Sequence, residues 1–238
     1  MTATVVLVTG ASRGLGAAMA GELAAFGETV IGVSRTPPDE WQGGAAIDYD
    51  KRVCDITDES SVRHLFAAIR HEYGALDTLL NNAGMFSGDL LLTTGRDRFA
   101  SILQANLLGA HLMTREAVKL MRPMSRGRVV SISSVATSIP QVGNSLYGIG
   151  KGALERLMRD YAVEFRGSGI TFNCVAVSFF EDSGMASALK PEARERYEAR
   201  LLVPRAVGVG EVLGAVRYFR SDEAATVTGQ VIDLGSPY

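Results

Sequence analysis

The sequence predicts an α/β protein built on a doubly wound, parallel, seven-stranded sheet with helices on both faces. Two observations lead there. Short runs rich in Val, Ile and Thr alternate nearly from end to end with longer stretches whose apolar residues recur at three and four positions, the pattern of repeated βαβ units. The first strand-like run also leads directly into a glycine-rich turn and then a helical stretch, the order in which open α/β sheets present a ligand loop.

The strands are expected at Val5 to Thr9, Thr29 to Ser34, a weaker one ending at Val53-Cys54, Thr78 to Asn81, Arg128 to Ser133, Ile170 to Ala176 and Gln230 to Asp233. Helical periodicity fills the stretches near residues 15–26, 59–72, 95–122, 146–166, 191–201 and 209–220. No repeat or low-complexity linker divides the 238 residues, and Pro37 to Gly44 reads as a loop after the second strand. A single domain over 1–238 follows, with a ligand half over about 1–125 and a chemical half over about 126–238.

Composition excludes several classes. With 47% hydrophobic and 21% charged residues the chain has ample material for a core and is not disordered. Lys and Arg number 24 against 26 Asp and Glu, a balance that does not suit a nucleic-acid binder working by phosphate neutralisation. No apolar run reaches the roughly 18 residues of a membrane span, and no basic-then-apolar leader follows Met1. Cys54 and Cys174 lack metal-ligand spacing and read as buried free thiols, so a cytoplasmic location is expected. His64, His71 and His111 share no ligand spacing, and no metal is expected.

The first turn, Thr9-Gly10-Ala11-Ser12-Arg13-Gly14-Leu15-Gly16, carries three glycines where backbone must turn tightly and approach a ligand closely. The helix that follows aims free N–H groups and a positive dipole end above the loop, which suits a pyrophosphate. A plain tight turn is the bland alternative, since the spacing is G-x-x-x-G-x-G and not the commoner G-x-G-x-x-G. Further on, Tyr147 and Lys151 lie four apart on an expected helix, so both rise from one face. A neighbouring ammonium favours phenolate and is expected to pull the tyrosine pKa from near 10 toward the working range. Such a pair alone is common on solvated helices.

Together these motifs resemble the short-chain dehydrogenase/reductase family, whose fold is Rossmann-type. Thr9 to Gly16 fits its T-G-x-x-x-G-x-G loop, Asn81-Asn82-Ala83-Gly84 its N-N-A-G, Asn106 its helix asparagine, and Tyr147 to Lys151 its Y-x-x-x-K. The resemblance implies catalytic Asn106, Ser134, Tyr147 and Lys151. It implies cofactor contacts from Thr9, Gly10, Ser12, Arg13, Gly14, Leu15, Gly16, Ser34, Arg35, Asp55, Ile56, Asn82, Ala83, Gly84, Tyr147, Lys151 and Ser183. Ser134 precedes Tyr147 by 13 residues, the family separation, and is preferred to Ser133, which a turn-capping role explains. In the implied mechanism a nicotinamide hydride reaches a ketone carbon while Tyr147 protonates the oxygen and Ser134 binds it. Lys151 tunes the tyrosine and holds the ribose, and Asn106 helps hold a water that passes protons through the lysine. Asp55 resembles the family's adenine-binding aspartate, its alternative being a helix N-cap.

Cofactor choice follows from the end of the second strand. Arg35 stands 19 residues after Gly16, where NAD-specific chains place a carboxylate, and Arg13 adds a second cation in the loop. Guanidinium groups match phosphate oxygens, so NADP(H) is expected, against the alternative of two solvated arginines.

One stretch departs from the family. Val177-Ser178 stands where Pro-Gly is usual, and Asp182, with Ser183 beside it, falls where a threonine is usual. An anion there would repel a diphosphate, so either Ser183 takes the contact from a displaced loop, the favoured expectation, or cofactor affinity is weakened. The charged run 190–200 reads as a solvated helix face or as a lid, with Phe179, Phe180, Met185, Leu189, Leu201 and Leu202 forming an apolar underside or core. Trp41 reads as packing locally. The last strand resembles one that packs against a second subunit, so a homo-oligomer, tetramer or dimer, is expected. The overall likeness is to bacterial members that reduce 3-oxoacyl chains on acyl-carrier protein. The alternatives are a reductase or dehydrogenase of a sugar, steroid or specialised-metabolite ketone, and a cofactor-binding protein of the same fold without turnover.

Overall fold

In the structure, a computed structural model describing residues 4–42, 49–86, 88–180 and 191–235, seven strands form one fully parallel sheet. They are β1 (Val5–Thr9), β2 (Thr29–Ser34), β3 (Asp50–Val53), β4 (Thr78–Asn81), β5 (Gly127–Ser134), β6 (Ile170–Val177) and β7 (Val231–Leu234). Their order across the sheet is β3-β2-β1-β4-β5-β6-β7. The direction of winding therefore reverses between β1 and β4, where the ligand crevice of such sheets opens above the carboxyl ends. The sequence places six of these strands within one residue at each end, β7 among them, which begins and ends one residue later than expected. Ser134 thus belongs to the last position of β5 and is not beyond it.

Alternation along the strands sorts side chains between two layers. Val5, Leu7, Ile31, Val33, Leu79, Val129 and Phe172 face one cluster with α2 (Glu59–Tyr73), α4 (Gly109–Met121) and α5 (Ser145–Glu164). Val6, Val8, Val30, Leu80, Val130 and Val175 face the other with α1 (Gly14–Ala25) and α7 (Val209–Arg220). Phe172 is fully buried, stacks on Tyr161 at 5.4 Å and lies tilted against Phe165 at 5.9 Å, joining β6 to the end of α5. Helix α2 has clear boundaries: the Asp58 carboxylate accepts the N–H groups of Ser60 and Ser61, and Gly74 closes it at φ 73°.

The helix expected over 95–122 is not continuous. It divides into α3 (Arg96–Leu103), a wide π turn over Gln104–Leu108, and α4. The physical reason is Asn106, fully enclosed, whose side-chain amide donates to Met85 O at 2.8 Å and accepts Met85 N–H at 3.0 Å. Directing a mid-helix side chain into that clamp is accommodated by one wide turn, a feature common at functional sites. The charged run 190–200 contains α6 (Pro191–Glu198), three residues shorter than expected.

Replacing Phe172 by Ala removes the stacked ring and leaves a cavity between β6 and α5. Chemical denaturation should show a loss of about 3–5 kcal/mol with a secondary-structure spectrum unchanged in water.

Candidate functional site

The glycine loop adopts the geometry that its sequence requires. Gly10 and Gly14 sit at φ 68° and 57°, and α1 begins at Gly14 with no side-chain cap and no acidic residue in its first turn. A Cβ on Gly16 would overlap Gly10 O and the Asn82 amide. The loop is therefore an open nest of backbone N–H groups beneath a positive dipole end, which fits a diphosphate. Arg13 and Arg35 are exposed beside it, and neither has a carboxylate partner among the described residues. Ser34 Oγ donates to Ser12 Oγ at 3.0 Å, tying the end of β2 to the loop.

Several residues expected to meet the cofactor are engaged with one another. Thr9 Oγ1 accepts the N–H groups of Asn82 and Ala83 at 3.0 and 2.9 Å, and the Asn82 amide donates to Thr9 O at 2.9 Å. These bonds stitch the end of β1 to the end of β4 and so shape the crevice. Asp55 accepts from the N–H and hydroxyl of Thr57, forming a local turn, while the N-cap of α2 is Asp58. Ile56 packs against Gly109, and Leu15, in the first turn of α1, packs against the core cluster on that face of the sheet. Trp41 packs beside Tyr49 and donates to Thr36 O at 2.8 Å, a local role as expected.

At the carboxyl end of β5, three consecutive residues each meet one residue of α5. Ile132 O accepts the Lys151 ammonium at 2.7 Å, Ser133 Oγ donates to Glu155 Oε1 at 2.6 Å, and the Ser134 side chain lies near enough to the Tyr147 hydroxyl to act on its acidity. Tyr147, Lys151 and Glu155 are spaced by four, so they share one helix face. Gly84 lets this group close up, because a Cβ there would press on Asn106 Oδ1 and approach Lys151 Nζ at 3.3 Å. The Asn106 amide bonds Met85 through both its oxygen and its nitrogen, so its side chain holds the loop that carries Gly84.

The electrostatics differ from the expectation for Tyr147. Burial pushes its phenol up to about 12, with the Ser134 side chain opposing that rise. The Lys151 ammonium lies 5.7 Å from the ring centroid, over the face and not at the hydroxyl, which explains why it does not lower the phenol. Lys151, only 3% exposed, is itself pulled down to about 8 by burial.

The structure adds residues that the motifs did not indicate. Phe86 packs edge-on against Tyr147 at 5.5 Å and remains partly exposed at the mouth. Tyr197 of α6 is buried and donates to Ser178 O at 2.6 Å, and with Leu201 it packs on Val135, Ile139, Ala176 and Phe179 above the strand ends. The run is thus neither wholly solvated nor separate from the site. Ser178 Oγ is buried with no hydrogen-bond partner among the described residues, against Gly235, where any Cβ would overlap it. Asp182, Ser183, Met185 and Leu189 lie outside the described residues. An aromatic two positions after Gly84 was the available signal for Phe86; Tyr197 had none.

A depression of about 420 Å³ lined by Arg122, Ser125 and residues 164–168 lies at the opposite, amino ends of β5 and β6, away from this chemistry. Among the described residues no group of three His, Cys, Asp or Glu side chains gathers as for a metal. His111 is bonded to the Tyr161 hydroxyl and His64 to Ser60 O. No described helix is long and apolar enough to cross a membrane.

A family model described as enoyl-(acyl carrier protein) reductase matches residues 10–235, and the chain belongs to the short-chain dehydrogenase/reductase family of oxidoreductases. Among its relatives, a 3-oxoacyl-(acyl-carrier-protein) reductase, FabG, of Escherichia coli (strain K12) is 34% identical, covering 97% of this chain and 95% of that protein. The FabG of Vibrio cholerae serotype O1 is 31% identical over the same shares. An actinorhodin polyketide ketoreductase solved with NADPH superposes with a TM-score of 0.87 at 28% identity, covering 98% of this chain and 95% of that one. A short-chain type dehydrogenase/reductase from Mycobacterium ulcerans gives 0.89 at 26% identity, covering 97% and 88%.

Gly16→Ala should force the β1 and β4 loops apart. The expected result is loss of nicotinamide-cofactor binding in a fluorescence titration, together with a destabilisation of about 1–3 kcal/mol from overpacking.

Proposed function

We propose that the chain is an NADPH-dependent reductase that turns a ketone into a secondary alcohol, with a 3-oxoacyl thioester on acyl-carrier protein as its leading substrate. The observation that carries this reading is the paired hydroxyls of Ser134 and Tyr147 set beside a buried Lys151 at the crevice. When bound, the nicotinamide supplies the hydride. Ser134 and Tyr147 converge on the position of a carbonyl oxygen and stabilise the negative charge that develops there. Tyr147, protonated throughout the neutral range, is the acid that gives that oxygen its proton, which favours the reductive direction. Lys151 supplies positive charge beneath the ring and holds the nicotinamide ribose.

The cofactor contacts proposed are those of the glycine loop, Ser12, Ser34, Asp55, Ile56, Asn82, Ala83, Gly84 and Ser183. Arg13 and Arg35 are proposed to pair with the 2′-phosphate. Residues 1–125 then form the cofactor half and 126–238 the catalytic half of one domain. The FabG relatives support the acyl-carrier substrate, and the half-buried edge strand β7 supports a homotetramer or dimer. The buried free thiols support a reducing, cytoplasmic setting.

The decisive assay mixes the chain with NADPH and a 3-oxoacyl thioester, against a panel of cyclic, sugar and steroid ketones. Oxidation with none of them despite tight NADPH binding would sink the reading and favour a binding protein without turnover. Tyr147→Phe should lower kcat by about 10²–10⁴-fold while NADPH affinity stays close to that of the native chain, since only the proton donor is removed. For the native chain, kcat for reduction should fall as pH rises through about 8, where Lys151 gives up its proton. Replacing both Arg13 and Arg35 by Ala should erase a preference for NADPH over NADH of at least about tenfold. Each charge-assisted contact contributes on the order of 1.5–3 kcal/mol. Equal dissociation constants for the two cofactors in the native chain would refute the phosphate role.

A further inference from the structure

The Ser133–Glu155 bond has no place in the chemistry above, yet it lies directly beside it. Ser133 is the strand residue between Ile132, which receives the Lys151 ammonium, and Ser134, which meets Tyr147. Glu155 follows Lys151 by one helical turn on the same face of α5. Resting on the reductase reading, we propose that Glu155 is a positioning residue: its carboxylate, pinned by Ser133, is the counter-charge that keeps the Lys151 ammonium charged and seated on Ile132 O.

The argument is one of supply. A buried ammonium has three donors and needs acceptors or opposite charge, and the carbonyl of Ile132 satisfies only one donor. The ionisable groups whose fields reach Lys151 are Cys174 from β6 and Glu155 from its own helix. Cys174 is a buried thiol pushed up to about 12, so it is uncharged where the lysine titrates. Tyr147, over whose ring the ammonium lies, is likewise neutral there. Among the described residues, Glu155 is then the one carboxyl group whose field reaches Lys151.

The surroundings of Glu155 bear on whether it carries that charge. Burial raises its carboxyl above the ordinary range, and Asp233 from β7 adds to the rise. Hydrogen bonds from Ser133 and Thr137 and the charge of Arg159 draw it back. The 2.6 Å bond from Ser133 also fixes the carboxylate to β5, so strand and helix cannot shift without moving the charge. A serine at this point of the strand therefore has a task separate from that of Ser134.

The test needs no substrate. The chain has only four lysines, Lys51, Lys119, Lys151 and Lys190, so the ε-carbon signal of Lys151 can be assigned in chain uniformly labelled at lysine. Glu155→Gln keeps the size and a hydrogen-bond acceptor for Ser133 but removes the charge. Its Lys151 midpoint should fall by about one pH unit relative to the native chain, with an unchanged melting temperature. The alkaline limb of kcat for ketone reduction should move down by the same amount, and Glu155→Asp should restore part of both shifts. A folded Gln variant whose lysine titrates at the native midpoint would overturn the proposal. If the Gln variant does not fold, the titration is read in Ser133→Ala, which frees the carboxylate from the strand. A lowered midpoint there supports the proposal, and a native one overturns it. Absence of ketone reduction by the native chain would instead sink the reductase reading, leaving the titration still readable.

Discussion

Placing the Lys151 ammonium under the sheet's carboxyl ends, out of reach of water, is the demand to which the surrounding structure answers. An unpartnered buried ammonium costs several kcal/mol, and a folded chain offsets that with acceptors, ring faces and opposite charge. Here the partners come from both sides of one interface: Ile132 O from β5 and the Tyr147 ring from α5. A helix held in this way cannot slide along the strand without unseating its own lysine. The register that places Tyr147 on Ser134 is a consequence of that seating.

The other half of the crevice is organised by hydrogen bonds of a different kind. Thr9, Asn82 and Ala83 satisfy one another, so polar groups of the glycine-loop and N-N-A-G motifs hold two loops together. What those loops leave free is backbone: the uncapped start of α1 and its glycines. Gly84 then joins the two halves, because its missing side chain is the space into which Asn106 and Lys151 both reach. One asparagine, through a widened helical turn, keeps that glycine in place.

Strand positions and the glycine and Tyr-Lys motifs were legible in the sequence because each depends on local pattern: alternation, periodicity, and residues whose spacing has a backbone reason. The features that were not legible depend on partners distant in the chain. The π turn at Asn106 follows from Met85, which is 21 residues away. The elevated phenol of Tyr147 follows from enclosure, and a sequence spacing that brings an ammonium one turn away does not say whether it meets the ring or the hydroxyl. Tyr197 looked like part of a charged, solvated helix, and only the fold reveals that its hydroxyl reaches Ser178 O, where Val177-Ser178 replaces the usual Pro-Gly. The bland reading of Ser133 failed for the same reason, since Glu155 lies 22 residues further on.

The strand order also bears on how such a chain is made. With β1 and β4 adjacent inside the sheet, each strand that a ribosome delivers finds a neighbour already made, but one inner edge stays open for a long stretch of synthesis. β1 can pair with β2 at once, but its other edge waits for β4, about seventy residues later in register. β4 in turn, buried at all four positions in the finished sheet, presents an apolar edge until β5 has been synthesised. During that interval the nascent chain carries an unpaired strand of the kind that recruits other chains, and a chaperone acting on it would have its clearest task between the emergence of Asn81 and that of Ser134.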